Sequence, residues 1–288
     1  MDLVIHAPFM PEHGMTIHGS DFMTNPGGKG ANQAVAVAKL GGNSYMVGAV
    51  GAAFGSELKG ALHQYGVNTD FVREYDHISS GIAMILVVDG DNRIILDAGA
   101  NRLVDKELID RAFACAAEGD YLICQLEIPQ ELVRYALQKA KELKMTTIFN
   151  PAPAARLIDG IMENVDIFIT NQSETEFYTG IYPADEKTQI EAAGKLQKLG
   201  CSTVLITLGA QGSCVISNDQ YDQVDGYPAH AIDTTAAGDT YIGAFAAKLS
   251  EGGSLHEAMD RASKASAITV TRRGAQQAIP YKSEIDRY

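Results

Sequence analysis

The chain has 288 residues, 46% hydrophobic and 20% charged, which suits one large domain or one domain with an appendage and is ample for a buried core. Thirty-six acidic residues against 23 basic ones leave a formal charge of −13, which argues against a nucleic-acid partner and requires any anionic ligand to be met by locally positive groups. No apolar run is long enough for a membrane span and "MDLVIHAPFM" lacks the pattern of a signal peptide, so a cytoplasmic protein with no membrane partner is expected.

In chain order, residues 2–24, punctuated by Pro8, Pro11, Gly14 and Gly19, read as short extended pieces. "NPGGKGANQAVAVAKLGG" (25–42) sets a glycine turn ahead of a small-residue helix that ends at Gly41-Gly42. "SGIAMILVVDGDNRIILDAG" (80–99) predicts a β-hairpin turning at Asp89-Gly90-Asp91-Asn92. From residue 120 onward, apolar runs alternate with helical stretches. "DYLICQLE" is a strand and "PQELVRYALQKAKEL" an amphipathic helix with Pro129 in its first turn. "TTIFNPAP" and "DIFITNQSE" are strands, "TQIEAAGKLQKLG" is a helix closed by Gly200, and "CSTVLITLGAQG" is a strand running into a glycine loop. Continuous apolar strands separated by helices predict a parallel sheet covered on both faces. The body is expected over 25–79 and 98–288, with 2–24 and 80–97 forming a discontinuous β lid over the C-terminal edge of the strands, where open α/β sheets bind ligands. Cys115, Cys124, Cys201 and Cys214 lie in apolar runs without metal-ligand spacing and read as buried free thiols.

Three stretches carry chemistry. "DTTAAGDTYIGAF" (233–245) places Asp233 and Asp239 on either side of a tiny-residue turn. With a helix starting near Asp239, the amides of the preceding Ala236-Ala237-Gly238 loop and the helix dipole make an anion site, beside which Asp239 can take the proton of an attacking hydroxyl. An aspartate N-cap after a tight turn is the plainer reading of the same residues. Gly27-Gly28-Lys29-Gly30 fits neither a Walker A loop nor GxGxxG. Its glycine backbone lets a ligand approach, and Lys29 and the Asn32 amide suit hydroxyls better than a triphosphate. A glycine turn before a helix is also common. Polar residues close several apolar strands: Glu127, Asn150, Asn171 with Glu174, and the "TLGAQG" loop (207–212). Each alone reads equally as a cap or turn, but together they converge on one crevice.

"GGKGANQA", "NPAPA", Asn171 to Glu174 as NxxE, "TLGxxG" and "DTxAAGDT", in this order and spacing, resemble the ribokinase-like carbohydrate kinases from about residue 2 to about 285. The resemblance implies a three-layer α/β sandwich with a mostly parallel central sheet and a small β-sheet lid. It implies ATP-dependent phosphorylation of the primary hydroxyl of D-ribose. Asp239 would be the catalytic base, with Ala236, Ala237 and Gly238 forming the anion hole. Asp2, Gly28, Lys29, Asn32 and Glu127 would hold the sugar. Asn171, Thr207, Leu208, Gly209, Gly212, Gly238 and Ser263 would face ATP, and Glu174 would act on Mg²⁺ through water. Asp233, Thr235, Thr269, Arg272 and Gly274 would bind a monovalent cation, usually K⁺. The lid would pair two subunits into a homodimer.

The chain also departs from that pattern. The family begins with an apolar strand and an Asn-x-Asp; here Asp2 remains, without the Asn or the strand, so the expectation is that the sequence starts at an internal methionine. "VGAAFG" (50–55) lacks the family's usual acidic residue, Met15 stands where the family often has Glu, and Ala278 replaces a Ser of the cation site. These departures bear on sugar preference and K⁺ dependence. Deoxyribose or a nucleoside as acceptor is the sibling reading, and a non-catalytic sugar- or nucleotide-binding protein the distant one.

Overall fold

Helix and strand periods divide the chain much as the sequence suggests. The computed structural model describes residues 1–288. Its first third comprises β1 (Asp2–His6), β2 (Ser20–Asn25), α1 (Lys29–Lys39), β3 (Tyr45–Gly51), α2 (Gly55–Gln64), β4 (Asn68–Tyr75), β5 (Ile82–Val88) and β6 (Asp91–Asp97). There follow α3 (Lys106–Phe113), β7 (Tyr121–Cys124), α4 (Gln130–Glu142), β8 (Thr146–Phe149), β9 (Ile167–Asn171), α5 (Gln172–Thr179) and α6 (Glu186–Gln197). The last third holds β10 (Thr203–Thr207), β11 (Ser213–Ser217), β12 (Gln220–Val224), α7 (Ala237–Ser250), α8 (Leu255–Thr269) and α9 (Lys282–Ile285).

Six strands form a sheet in the order β12-β11-β10-β9-β8-β7, parallel from β7 to β10 and antiparallel beyond. Successive residues of its buried strands feed opposite cores. Phe149, Phe168 and Ile206 meet α3, α4 and α6 on one face. Ile148, Ile169 and Leu205 meet α7 and α8 on the other. β3 and β4 form a separate parallel pair. No strand joins β3 to β7, so the parallel sheet is in two pieces, and β7 is only half-buried along Tyr121–Ile123 where β9 is buried over four residues.

The remaining strands make a four-stranded sheet in the order β2-β1-β5-β6. It is mixed, because β1 runs parallel to β5 while the other pairs are antiparallel. The hairpin turn is two residues long, Asp89 and Gly90 at φ 55° and 80°, which is the primed-turn geometry that Asp-Gly favours; Asp91 and Asn92 already belong to β6. Two further details depart from the sequence reading. Pro129 is the N-cap of α4 rather than a first-turn residue, and Cys115 is exposed, although all four thiols are free. No helix is long and apolar enough to cross a membrane.

Candidate active site

The contact of α1 with α7 builds the centre of the site. A Cβ on Gly243 would sit 2.4 Å from the Cβ of Ala36 and 2.6 Å from the carbonyl of Gln33, so only glycine lets the two helices approach this closely. One turn earlier on each helix, that approach brings Asn32 and Gln33 to Asp239. Asn32 Nδ2 donates to one carboxylate oxygen at 2.9 Å and Gln33 Nε2 to the other at 3.0 Å. Asp239 is 8% exposed. Both oxygens of a buried carboxylate are thereby oriented, with the remaining lone pairs open toward the cleft.

Further amides hold Gln33 itself in place. Gln125 Nε2 donates to Gln33 Oε1 at 2.6 Å, and Asn150, which accepts from Gln33 Nε2 at 3.3 Å, anchors its own Nδ2 on the carbonyl of Ile169. Gln33 and Gln125 escaped the sequence reading. Their signal was a second polar residue beside Asn32 in an alanine-rich helix, and a polar residue two before Glu127 at the same strand end.

The helix begins two residues earlier than expected. Ala236 is its N-cap at φ 59°, a left-handed conformation that costs a non-glycine residue about 1 kcal/mol or more. Ala237 and Gly238 are therefore helical, and Asp239 sits in the first turn rather than at the N-cap. The Ala237 amide turns back to the carbonyl of Thr234, so the free amides at this helix end are those of Gly238 and Asp239, which enter no hydrogen bond. A Cβ on Gly238 would meet nothing within 4 Å, so the approach to these amides is open.

A cleft of about 1470 Å³ runs from this point under the four-stranded sheet to the gap between β3 and β7. Asp2, Gly28, Lys29, Asn32, Glu127, Thr235 and Asp239 line it. The Lys29 amide donates to Glu127 Oε2 at 2.8 Å, which fixes the glycine turn against the end of β7. Gly27 packs directly on the Asp2 carboxylate, where its missing Cβ leaves the room. Burial pushes the Asp2 and Glu127 carboxyls above the usual range, and each is raised further by the neighbouring Asp239. Asn32 Oδ1 is buried without a partner. Acceptors and donors thus alternate around the cleft, an arrangement that suits a polyol.

At the ends of β9 and β10, Asn171 and Glu174 close a capping box on α5, each side chain bonded to the other's backbone. Burial raises the Glu174 carboxyl, with Lys29 and Asp239 both near enough to be felt. Thr207 pairs with Asn171 in register, and Leu208, Gly209 and Gly212 form the turn beyond it. These residues lie outside the main cleft; Leu208 borders a separate hollow of about 560 Å³. Ser263 is buried on α8 with an unpartnered hydroxyl. Asp233 accepts from the amides of Thr235 and Gly274, both at 2.9 Å. Burial opposes its ionisation, but the Thr235 hydroxyl, these amide bonds and the charge of Arg273 outweigh it and hold the carboxyl below its usual range. The carbonyls of Thr235, Arg272 and Gly274 enter no hydrogen bond, whereas that of Thr269 accepts from Arg272.

A family model for pfkB family carbohydrate kinases matches residues 1–282. The chain belongs to that family. A ribokinase from Haemophilus influenzae is 38% identical over 98% of this chain and 93% of its own length. A deoxyribokinase from Salmonella typhimurium is 34% identical over 100% and 95%. Among solved structures, the Arabidopsis thaliana ribokinase complexed with ribose and ATP superposes with a TM-score of 0.92 at 29% identity, covering 99% of this chain and 94% of that one. The chain is an ATP-dependent sugar kinase of ribokinase-like fold, with the four-stranded sheet as its lid.

Proposed function

We infer that this kinase transfers the γ-phosphoryl group of ATP to the primary hydroxyl of D-ribose, giving ribose 5-phosphate. The observation that carries the reading is Asp239, with both carboxylate oxygens oriented by Asn32 and Gln33, at the N-terminus of α7 beside a cleft bordered by Asp2, Lys29 and Glu127. Asp2, Glu127 and Asn32 Oδ1 accept from sugar hydroxyls, and Lys29 donates. Asp239 orients the attacking hydroxyl and takes its proton. The free amides of Gly238 and Asp239, reinforced by the helix dipole, meet the charge that spreads over the transferred group. Asn171, the Thr207–Gly212 turn and Ser263 hold the nucleotide.

Glu174, carboxylate-bearing and close to Lys29 and Asp239 in the electrostatics of the site, would hold Mg²⁺ through water; the ion would neutralise phosphate charge. Asp233 and the free carbonyls of Thr235, Arg272 and Gly274 form an all-oxygen set that fits a monovalent cation such as K⁺. Thr269 fits less well, since its carbonyl is already used, and Ala278 contributes no oxygen. The lid supports a homodimer, because the row Leu3–Met84–Ile95 lies on the face away from the cleft, with Met84 58% and Ile95 74% exposed. Free thiols and ATP as co-substrate favour the cytoplasm.

ADP release should be measured with MgATP and D-ribose, 2-deoxyribose, adenosine or fructose, with and without K⁺. Ribose should give the highest kcat/KM, and Asp239→Asn should lower kcat on the order of 10²- to 10⁴-fold. Turnover confined to the nucleoside would overturn the substrate, and undiminished turnover by the variant would overturn the base. The 34% identity to a deoxyribokinase over the whole chain favours 2-deoxyribose as the second acceptor.

A further inference from the structure

Lys39 is 6% exposed and has no acidic partner within ion-pair distance. Its ammonium donates to the carbonyls of Gln276 and Ile279, both at 2.8 Å, and lies 4.3 Å from the ring centre of Tyr65 and 4.9 Å from that of Tyr281. Backbone dipoles and ring faces therefore make the direct contacts that compensate a buried charge, with the Glu284 carboxylate acting only at longer range; this is an expensive arrangement where a methionine would fill the same space. Within that turn the Ala278 amide donates to the carbonyl of Ala275, but the Gln276 side chain is buried with neither end of its amide partnered.

That turn touches three parts of the site. The Gly274 amide fixes Asp233, Gln277 Nε2 reaches Asn25 Oδ1 just before the glycine turn, and Lys39 grips residues 276 and 279. Lys39 is also the last residue of α1, whose first turns carry Lys29, Asn32 and Gln33. One rigid helix therefore has its N-terminal end on Asp239 and its C-terminal end on the turn that braces Asp233. We propose that Lys39 is a positioning residue for phosphoryl transfer: by clamping the 274–279 turn to the end of α1, it sets the spacing between the residues that orient Asp239 and the Asp233–Gly274 brace behind the anion-binding amides.

The proposal rests on the sugar-kinase activity but not on which sugar is preferred, so the assay uses whichever sugar the wild type turns over fastest. Lys39→Met and Lys39→Arg are compared with the wild type for kcat, for KM of sugar and ATP, for Tm, and for hydrogen exchange across residues 271–281. Lys39→Met should lose kcat on the order of 10- to 100-fold, more than either KM changes, because misplacement rather than lost contact is the defect. Exchange across 271–281 should quicken in the same variant, and Lys39→Arg, which keeps the charge and donors, should restore most of kcat. The proposal is overturned if Lys39→Met keeps wild-type kcat and exchange. It is equally overturned if both variants lose activity only in proportion to the fraction unfolded at the assay temperature, which would leave Lys39 a stability element. Should the wild type turn over no sugar, the exchange measurement alone decides: unchanged exchange in Lys39→Met sinks the clamp.

Discussion

Lys39 and Asp239 are both buried and charged, and the chain treats them oppositely. Asp239 is held by the side-chain amides of Asn32 and Gln33. The Lys39 ammonium is pushed down to about 8 from an ordinary 10.5, chiefly by burial; Arg272 lowers it too, and Glu284 opposes both. A group whose folded value is depressed in this sense is a lysine that binds its proton less tightly when folded. Between pH about 8 and 10.5 the unfolded chain then holds one proton more than the folded chain, so this group's contribution to stability rises with pH in that window. Its grip on residues 276 and 279 loosens in the same window, because a neutral amine donates more weakly. Activity should therefore fall above pH about 8 without an accompanying fall in Tm from this site, and Lys39→Arg should push the activity loss to higher pH. A parallel decline of Tm and kcat in wild type and variant alike would contradict this account.

At the scale of elements, much was legible because the relevant signals are local. Continuous apolar runs between amphipathic helices gave the parallel strands, and Asp-Gly between alternating runs gave the β5–β6 hairpin. The start of α7 was misplaced because Ala236 is a poor N-cap, and its left-handed backbone is enforced by tertiary context rather than by residue type. The amides that orient Asp239 were hidden for another reason: Gln33 and Asp239 are 206 residues apart, and nothing in either neighbourhood announces their meeting. Gly243, which nothing in the sequence singles out, is what permits that meeting. The lid carries its own test. Met84 and Ile95 are cross-strand neighbours on the exposed row, so Ile95→Lys should leave Tm within a few degrees while converting a sedimenting dimer to monomer. A wild type that sediments as a monomer at all accessible concentrations would exclude the lid interface.

At the scale of the whole molecule, the divided sheet dominates. β9 and β10 are laddered on both sides and buried in two large cores, whereas β3 and β4 pair only with each other and rest on two small clusters, one with α1 and α2 and one with α3 and Ala100 and Val104. Local openings cost least where few ladders and few apolar contacts must break. Amides of β3 and β4 should therefore exchange through a sub-global opening of clearly lower free energy than those of β9 and β10, read by native-state hydrogen exchange. Uniform protection across all four strands would show that helix packing alone unites the two pieces.

The gap also bears on how the molecule behaves in company. A strand edge with unspent donors and acceptors is a template, and β3 and β7 both border a channel open to solvent. An extended stretch of another molecule, such as β6 at the outer edge of the lid sheet, carries the complementary groups. Asp239 of each copy lines the same channel. Self-association seeded there would silence turnover before it produced visible aggregate, so crowding in a concentrated stock would be felt first as lost kinase activity.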